Sequence, residues 1–372
     1  MNCAAPQPAN APFTVACASG DHWGLAAKAC LEGLAGQPAN VGFLYVTEGF
    51  NQNLSSILTF LRETTRIDHW VGAVVPMLMA GDRVLGPEGG MAVMTGMLPP
   101  GSCRAFHSLD GGQPLEVGDG LVVAYGDPRS PGVDSVMQGL SGGTGTMVGA
   151  LVSSSGPPAQ LADTVVSGGI AGLILAPSVA TVTGLSQGCS PIGPPHRVTA
   201  ASEGVVMGLD GHPAVEALKQ DAGQLIARDL RRAAGYIHVG LPAADGAVGG
   251  YLVRMLLGID PRQGWLAVGD HLEEGQELLF VRRDPQTARA DMQRMLADVV
   301  ARIGGRRVRA ALYHSCIARG SHMFGSDDAE AAMIRAALGP VPLIGFFGHG
   351  EFGGRRLYTY TGVLTVLVED GP

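Results

Sequence analysis

Paired cysteines, dense charge and long apolar runs are all missing from this chain, and each absence removes a class of function. The six cysteines are Cys3, Cys17, Cys30, Cys103, Cys189 and Cys316. No Cys-x-x-Cys pair occurs among them, so neither a disulfide framework nor a structural zinc site is expected. Charged residues make up only 16% of the chain and the net charge is −8, which argues against a nucleic-acid partner. The basic cluster Arg306-Arg-Val-Arg309 follows Gly304-Gly305 at the start of an expected strand and reads as a solvated helix–strand loop. No basic segment followed by a long apolar one opens the sequence, so no signal peptide is expected. The longest apolar stretch, Val71–Ala80, falls well short of the ~20 residues a membrane-spanning helix needs. A cytoplasmic protein without membrane insertion is the expectation.

What the chain has in quantity is apolar surface and glycine. Its 372 residues are 46% hydrophobic, enough for two domains with sizeable cores, and 56 are glycine, roughly double the usual share. The glycines scatter over strand ends and turns without a collagen-like period. A boundary near residues 210–220 divides the chain into domains 1–213 and 214–372.

One supersecondary unit occurs twice. In the first copy, strand Phe13–Ala18, helix Asp21–Leu34 and strand Val41–Val46 lead to helix Leu54–Glu63, with Asn53 as its N-cap. Strands Trp70–Leu78 and Met91–Met97 follow. The second copy repeats the order as strand Glu277–Val281, helix Thr287–Ile303, strand Val308–Tyr313, helix Asp327–Leu338, and strands Val341–Phe347 and Tyr360–Val368. Helices are read from 3.6-residue periodicity, as in Met292, Met295, Leu296, Val299, Val300 and Ile303. Strands are read from short β-branched or aromatic runs between turn residues. Between the copies, Met147–Ser153, Gly169–Ala176, Ala180–Gln187 and Val198–Met207 read as a meander, and a helix is expected from Pro213 to about Ala233. The fold class is α+β: two related β-α-β-α-β-β units forming mixed sheets with flanking helices, plus an antiparallel meander. Leu44-Tyr-Val-Thr-Glu-Gly49 parallels Leu312-Tyr-His-Ser-Cys316. Gly72 and Gly89 are spaced like Gly345 and Gly362, 17 residues apart in each case.

Two C-terminal motifs concentrate reactive residues. Leu312-Tyr-His-Ser-Cys-Ile-Ala-Arg-Gly320 and Pro342-Leu-Ile-Gly-Phe-Phe-Gly-His-Gly-Glu-Phe-Gly-Gly354 each run as an apolar strand into a glycine-flanked polar loop. Such loops commonly form binding sites. Cys316, near Arg319, is either a thiol made reactive by a neighbouring cation or an inert buried cysteine. Arg319 suits a bidentate carboxylate clamp, and Glu351 suits an ammonium group; together they would hold an amino-acid-like ligand. A structural ion pair between them is the alternative. His314, His322 and His349 are candidates for acid–base work or for metal or haem ligation. Cys189, in Gly188-Cys-Ser-Pro-Ile-Gly193, is a further ligand-binding candidate. The expected ligand-binding set is therefore Cys316, Arg319, His349, Glu351 and Cys189, with no catalytic or metal-ligating residue assigned and no cofactor identified. The Ser141-Gly-Gly-Thr-Gly-Thr146 loop lacks the lysine of a P-loop.

The order Gly188-Cys-Ser-Pro-Ile-Gly193, Leu209-Asp-Gly-His-Pro-Ala214, Cys316-Ile-Ala-Arg-Gly320 and Gly345-Phe-Phe-Gly-His-Gly-Glu351 resembles the FIST proteins (F-box and intracellular signal transduction). The resemblance implies FIST N- and C-terminal domains over nearly the whole chain, and a sensory role with small ligands, amino acids among them. Some bacterial members are similar to haem-binding nitric-oxide sensors. Haem sensing and a cysteine-dependent enzyme using Cys316 with a nearby histidine remain alternatives, and a separate signalling protein is the expected partner. One segment departs from the family pattern. A Gly-Cys-Ser-Thr-x-Gly-Glu-like stretch is replaced by Gly72-Ala-Val-Val-Pro-Met-Leu-Met79, which turns attention to the C-terminal copy.

Overall fold

Residues 2–3, 13–34, 36–109, 119–130, 133, 136, 146–152, 159–224, 229–233, 235–242 and 251–369 are described by the computed structural model of the chain. The fold is α+β with mixed sheets. It divides into two compact units, and the division does not follow sequence order. The first unit joins residues 1–185 to 293–357 and 361–372; the second holds 186–292 together with Tyr358–Tyr360.

In the first unit, strand β1 (Phe13–Ser19), helix α1 (Trp23–Gly33), strand β2 (Val41–Thr47), helix α2 (Leu54–Thr65) and strand β3 (His69–Val75) build most of the first sheet. Strand β4 (Met77–Ala80) continues from β3 but leaves that sheet, and strand β5 (Gly90–Gly96) returns to it, pairing between β1 and β2. The single strand expected over Trp70–Leu78 is thus two, broken at Pro76, which has no N–H to give a ladder. Alternate residues serve opposite faces of this sheet. Ala16, Leu44, Val46, Val74 and Val93 pack against the helices. Val15, Phe43, Tyr45, Ala73 and Met94 face a second core. Asn53 precedes α2 but makes no capping side-chain bond; a 3₁₀ turn, Glu48–Asn53, runs directly into the helix.

Strands β6 (Leu121–Gly126), β7 (Thr146–Leu151) and β8 (Ile170–Leu175) belong to a further sheet, in which β6 pairs parallel with β7 and antiparallel with β8. Strand β9 (Thr181–Ser186) lies in yet another, so the strands between the copies are shared among several sheets.

That other sheet holds the second copy. Helix α3 (Pro285–Ile303) leads to strand β10 (Val308–Cys316), helix α4 (Ala329–Leu338), strand β11 (Leu343–Gly348), strand β12 (Glu351–Gly354) and strand β13 (Gly362–Val368). The order β9-β13-β10-β11-β4 matches β1-β5-β2-β3 of the first sheet, with parallel β10–β11 echoing parallel β2–β3. Strand Glu277–Arg283 forms where expected but pairs in the second unit, and β9 takes the corresponding place beside β13. Helix α3 closes on β9: a Cβ at Gly184 would lie 2.5 Å from Val299 Cγ2 and 2.7 Å from Met295 Sδ.

Register defines the equivalence of the copies. Leu44 sits opposite Gly72 and Tyr313 opposite Gly345. A Cβ on either glycine would lie 1.7 or 1.8 Å from the carbonyl oxygen of its partner, so both positions require glycine. The correspondence is therefore one residue removed from the sequence match: Tyr45 answers to His314, and Thr47 to Cys316. The equivalent side chains meet in the shared core, Tyr45 Oη lying 3.4 Å from His314 Nε2.

The second unit is one sheet covered by a helix. Tyr251–Arg254 and Leu256–Asp260 stand at its two ends, yet they are consecutive in the chain and parted by Met255 alone. The expected strand Val198–Met207 is a hairpin, His196–Ser202 with Val205–Leu209, turned at Glu203 and Gly204, whose φ values of +47° and +81° suit a tight turn. Its helix, Ala214–Ala222, is shorter than expected because Gly223, at φ +79°, ends it.

Among the described residues no helix is long and apolar enough to cross a membrane. The Arg306–Arg309 cluster serves the fold. Arg306 donates to the carbonyls of Arg302 and Ile303, Arg307 pairs with Glu369, and Arg309 donates to the Met97 carbonyl.

Candidate functional site

Strand β10 carries polar residues on both faces of its last turns. Tyr313 and Ser315 point toward α4, and His314 points into the shared core. After Cys316 the chain turns, with Arg319 N–H donating to the Cys316 carbonyl at 2.8 Å. Arg319 then folds back beneath the surface, only 1% exposed.

Its hydrogen-bonding partner is Glu330 on α4. Arg319 Nε and Nη2 reach Glu330 Oε1 at 2.9 and 2.8 Å. Tyr313 Oη donates to the same oxygen at 2.7 Å, and Ser315 Oγ donates to Oε2 at 2.9 Å. Burial opposes the arginine charge, but Glu330 outweighs it and holds the guanidinium firmly protonated. Burial, then Glu330, pushes the Tyr313 phenol well above its ordinary range. A buried ion pair with both oxygens engaged is costly to open.

Glu351 opens β12, which pairs with β7 at Ala150. Its carboxyl is fully buried. Thr361 donates to Oε2 through its backbone N–H at 3.2 Å and its hydroxyl at 2.7 Å. Among the described residues Oε1 has no hydrogen-bond partner. Burial lifts the Glu351 pKa to about 8, against the downward pull of the Thr361 hydrogen bonds and the Arg319 charge. The group is thus mostly a neutral acid at pH 7.

Thr361 also accepts the Cys316 N–H, at 2.8 Å, so Cys316 and Glu351 lean on one residue. Cys316 is buried, at 5% exposure. His349 lies on the turn before Glu351, exposed, its N–H donating to the Leu151 carbonyl at 3.1 Å. The structure therefore gathers Cys316, Arg319 and Glu351 around the ends of β10 and β11, with the His349 side chain toward solvent.

The remaining candidates are elsewhere. His314 is enclosed by Tyr45, Tyr125 and Phe346, and burial pushes its pKa down to about 3. It is a neutral core ring. His322 is exposed on the short helix Gly320–Phe324. Cys189 belongs to the second unit, on strand Cys189–Pro191, where its carbonyl accepts Tyr251 Oη at 2.9 Å. Ser141–Gly145 lie outside the described residues, and Thr146 begins β7. Among the described residues no group of three His, Cys, Asp or Glu is arranged to hold a metal ion.

Sequence reasoning missed Glu330 and Thr361, and it missed a second polar node. In the second unit His196 is held at both nitrogens, Nδ1 by Asp210 Oδ2 at 2.7 Å and Nε2 by Asp221 Oδ2 at 2.8 Å. Burial disfavours a charged ring, but the bonds to Asp221 and Asp210 prevail and raise its pKa. Asp210 sits at φ +52° and also accepts the Arg197 N–H at 2.8 Å. A Cβ at Gly193 would lie 1.9 Å from Asp221 Oδ2. Motifs 188–193 and 209–214 thus meet at one imidazole, and their residues there serve to seat it.

Comparison with known proteins divides the chain differently, at a point inside the second unit. The FIST N domain matches residues 40–212, and the FIST C domain matches residues 214–354. An uncharacterized protein of Mycobacterium tuberculosis is 28% identical over 380 residues, spanning 92% of this chain and 95% of its own. Another, from Mycobacterium bovis, is 33% identical over 215 residues, 55% of each chain. With its N and C domains matched in order from residue 40 to 354, the chain belongs to the FIST family.

Proposed function

We propose that this chain is an intracellular small-ligand-binding sensory protein whose recognition group is Glu351, with Cys316 and Thr361 as its immediate surroundings. FIST domains are associated with signal transduction and sensory roles. The observation that carries the reading is the unpartnered Oε1 of a fully buried carboxyl. Buried polar atoms are almost always hydrogen-bonded, and one left alone destabilises the fold that contains it. A ligand N–H or O–H donating to Oε1 would remove that cost.

Arg319 is engaged by Glu330, so the ligand's donor end, more than a carboxylate, carries recognition. An amino-acid-like ligand would place its ammonium at Glu351 and displace the carboxyl proton. His349, exposed two residues earlier, would meet the ligand at the solvent side, and Arg319 and Glu330 would fix the floor. This reading does not require Cys189, which belongs to the second unit. Output would pass to a separate signalling protein. Because the observation concerns a carboxyl, it favours this reading over haem ligation and over thiol chemistry.

Thermal denaturation in the presence of the twenty amino acids and simple primary amines tests it. One or more should raise Tm in a concentration-dependent way, and Glu351→Gln should abolish the rise. No shift across the panel, or a shift that survives in Glu351→Gln, would overturn the assignment.

A further inference from the structure

The duplicated unit supplies an internal control for the Glu351 site. Val46 pairs with Met91 and Ser315 with Gly362, so Thr47 answers to Cys316 and Gly90 to Thr361. After its parallel pair, each copy leaves its sheet through a short strand, β4 in one and β12 in the other. Leu78 lies six residues after Gly72 (78 − 72) and Glu351 six after Gly345 (351 − 345), so these two also correspond. Thr47, Leu78, Gly90, Cys316, Glu351 and Thr361 all belong to the first unit.

In each copy one buried turn N–H needs an acceptor. The residue before it has a left-handed backbone, φ +66° at Gly89 and +64° at Tyr360. The acceptors differ. In the first copy Gly90 N–H donates to Thr47 Oγ1 at 2.7 Å, and Leu78 is part of the apolar core. In the second copy a thiol replaces the hydroxyl, and Thr361 N–H donates to Glu351 Oε2 at 3.2 Å. Sulfur accepts hydrogen bonds only weakly, whereas a hydroxyl or carboxyl oxygen accepts them well. The two exchanges belong together. Threonine at 316 beside Glu351 would set two acceptors against one N–H, and Cys316 beside leucine at 351 would leave that N–H with none.

We propose that Cys316 is the positioning residue of the Glu351 site: standing where the first copy has a hydroxyl acceptor, it leaves the Thr361 N–H to Glu351 Oε2. With Oε2 so anchored, Oε1, which has no partner among the described residues, is the oxygen kept for the ligand. The inference rests on Glu351 being the recognition group. It requires no thiolate, and it gives Cys316 a part that alanine could also play but threonine could not.

Two measurements on the full chain test it. The first rebuilds the first-copy pair in the second copy. Glu351→Leu strands the Thr361 N–H and should lower Tm. Adding Cys316→Thr to that variant should return about 1–3 °C, the worth of one buried hydrogen bond in a chain of this size. Cys316→Thr in wild type should bring no such gain. An equal effect of Cys316→Thr in both backgrounds overturns the proposal. The second measurement holds even where Glu351→Leu does not fold. It follows the carboxyl titration of [13Cδ]-glutamate-labelled chain, with the Glu351 resonance assigned through Glu351→Gln. Arg319 and Glu330 are the charges acting on this carboxyl, and every variant keeps both. The Thr361 hydrogen bonds pull the Glu351 pKa down, so Cys316→Thr should move the midpoint upward from about 8, while Cys316→Ala leaves it in place. An unmoved midpoint in Cys316→Thr, or the same shift in Cys316→Ala, overturns the proposal. Failure here beside an amine-induced Tm rise that needs Glu351 would leave the recognition site standing without this role for Cys316. Absence of that rise in wild type would remove the site, whatever the coupling between residues 316 and 351.

Discussion

Thr361 gives both of its donors to one oxygen of Glu351, at 2.7 and 3.2 Å, and among the described residues the other oxygen has no partner. The same threonine accepts the Cys316 N–H. A fully buried acid satisfied on one side alone favours the proton, and its pKa rises from 4.5 to about 8. The strand ends that look reactive in sequence therefore hold a neutral acid beside a completed Arg319–Glu330 pair. Charge is matched at one and suppressed at the other.

Glu351→Gln should remove a pH dependence. The folded-state pKa lies above the unfolded one, so the contribution is complete below about 4.5 and is lost as pH rises through about 8. At 1.36 kcal/mol per unit, wild type should lose on the order of a few kcal/mol of stability over that window relative to the variant. Urea denaturation at pH 5, 7 and 9 measures it. Parallel losses in the two proteins would place the ionisation elsewhere.

The Arg319–Glu330 pair should behave as a unit. Arg319→Met or Glu330→Gln alone strands a buried partner and should cost ~3–5 kcal/mol. The double variant should cost much less than the sum. A double-mutant cycle by chemical denaturation gives the coupling, and additive losses would mean that the pair is not mutually dependent.

Legibility in the sequence follows the range of the interaction. Helix α3 was readable because its stripe is local: Met292, Met295, Leu296, Val299 and Ile303 are buried as the period requires, and only Val300 is exposed. The strand Glu277–Arg283 was readable as a strand but not by its partner, since nothing local records that β9 takes the place beside β13. Glu330 looks like an ordinary first-turn acid. Its one local signal is its place four residues before buried Ile334, on the apolar side of α4. That Arg319 would meet Glu330 and not Glu351 depends on packing between elements, which residue spacing does not encode. Thr361 carried no signal at all, because its role arises from the left-handed turn at Tyr360.

The duplicated glycines make a paired prediction. Gly72→Ala and Gly345→Ala should each cost more than about 4 kcal/mol or prevent folding, because the new methyl would strike a backbone carbonyl that pairing holds in place. Gly211→Ala has φ +82° but nothing within 4 Å, so only conformational strain applies, about 1 kcal/mol. Denaturation midpoints compare the three. A mild effect at Gly72 or Gly345 would contradict the register that equates the two copies.

The His196 clamp predicts a pH slope of its own in the second unit. With its folded-state pKa raised, the imidazolium's contribution is complete below about 6.5 and is lost as pH rises through the folded value. Asp210 acts at the other limit. Its pKa is lowered, first by the bond to His196, so its share is present above the ordinary carboxylate range and fades as pH falls through the folded value. The advantage of wild type over His196→Gln should therefore be greatest between those limits, about 2 kcal/mol or more given two charge-assisted bonds to a buried ring. It should shrink steadily toward pH 9. Gly193→Ala offers a second route to the same answer, since its methyl would displace Asp221 from Nε2. That variant should lose part of the same slope while His196 and Asp210 remain. Chemical denaturation of the three proteins from pH 5 to 9 measures both effects. If His196→Gln followed wild type in parallel across that range, the ring would be neutral in the fold, and one of its two carboxylate contacts would have to be carried by a proton on aspartate.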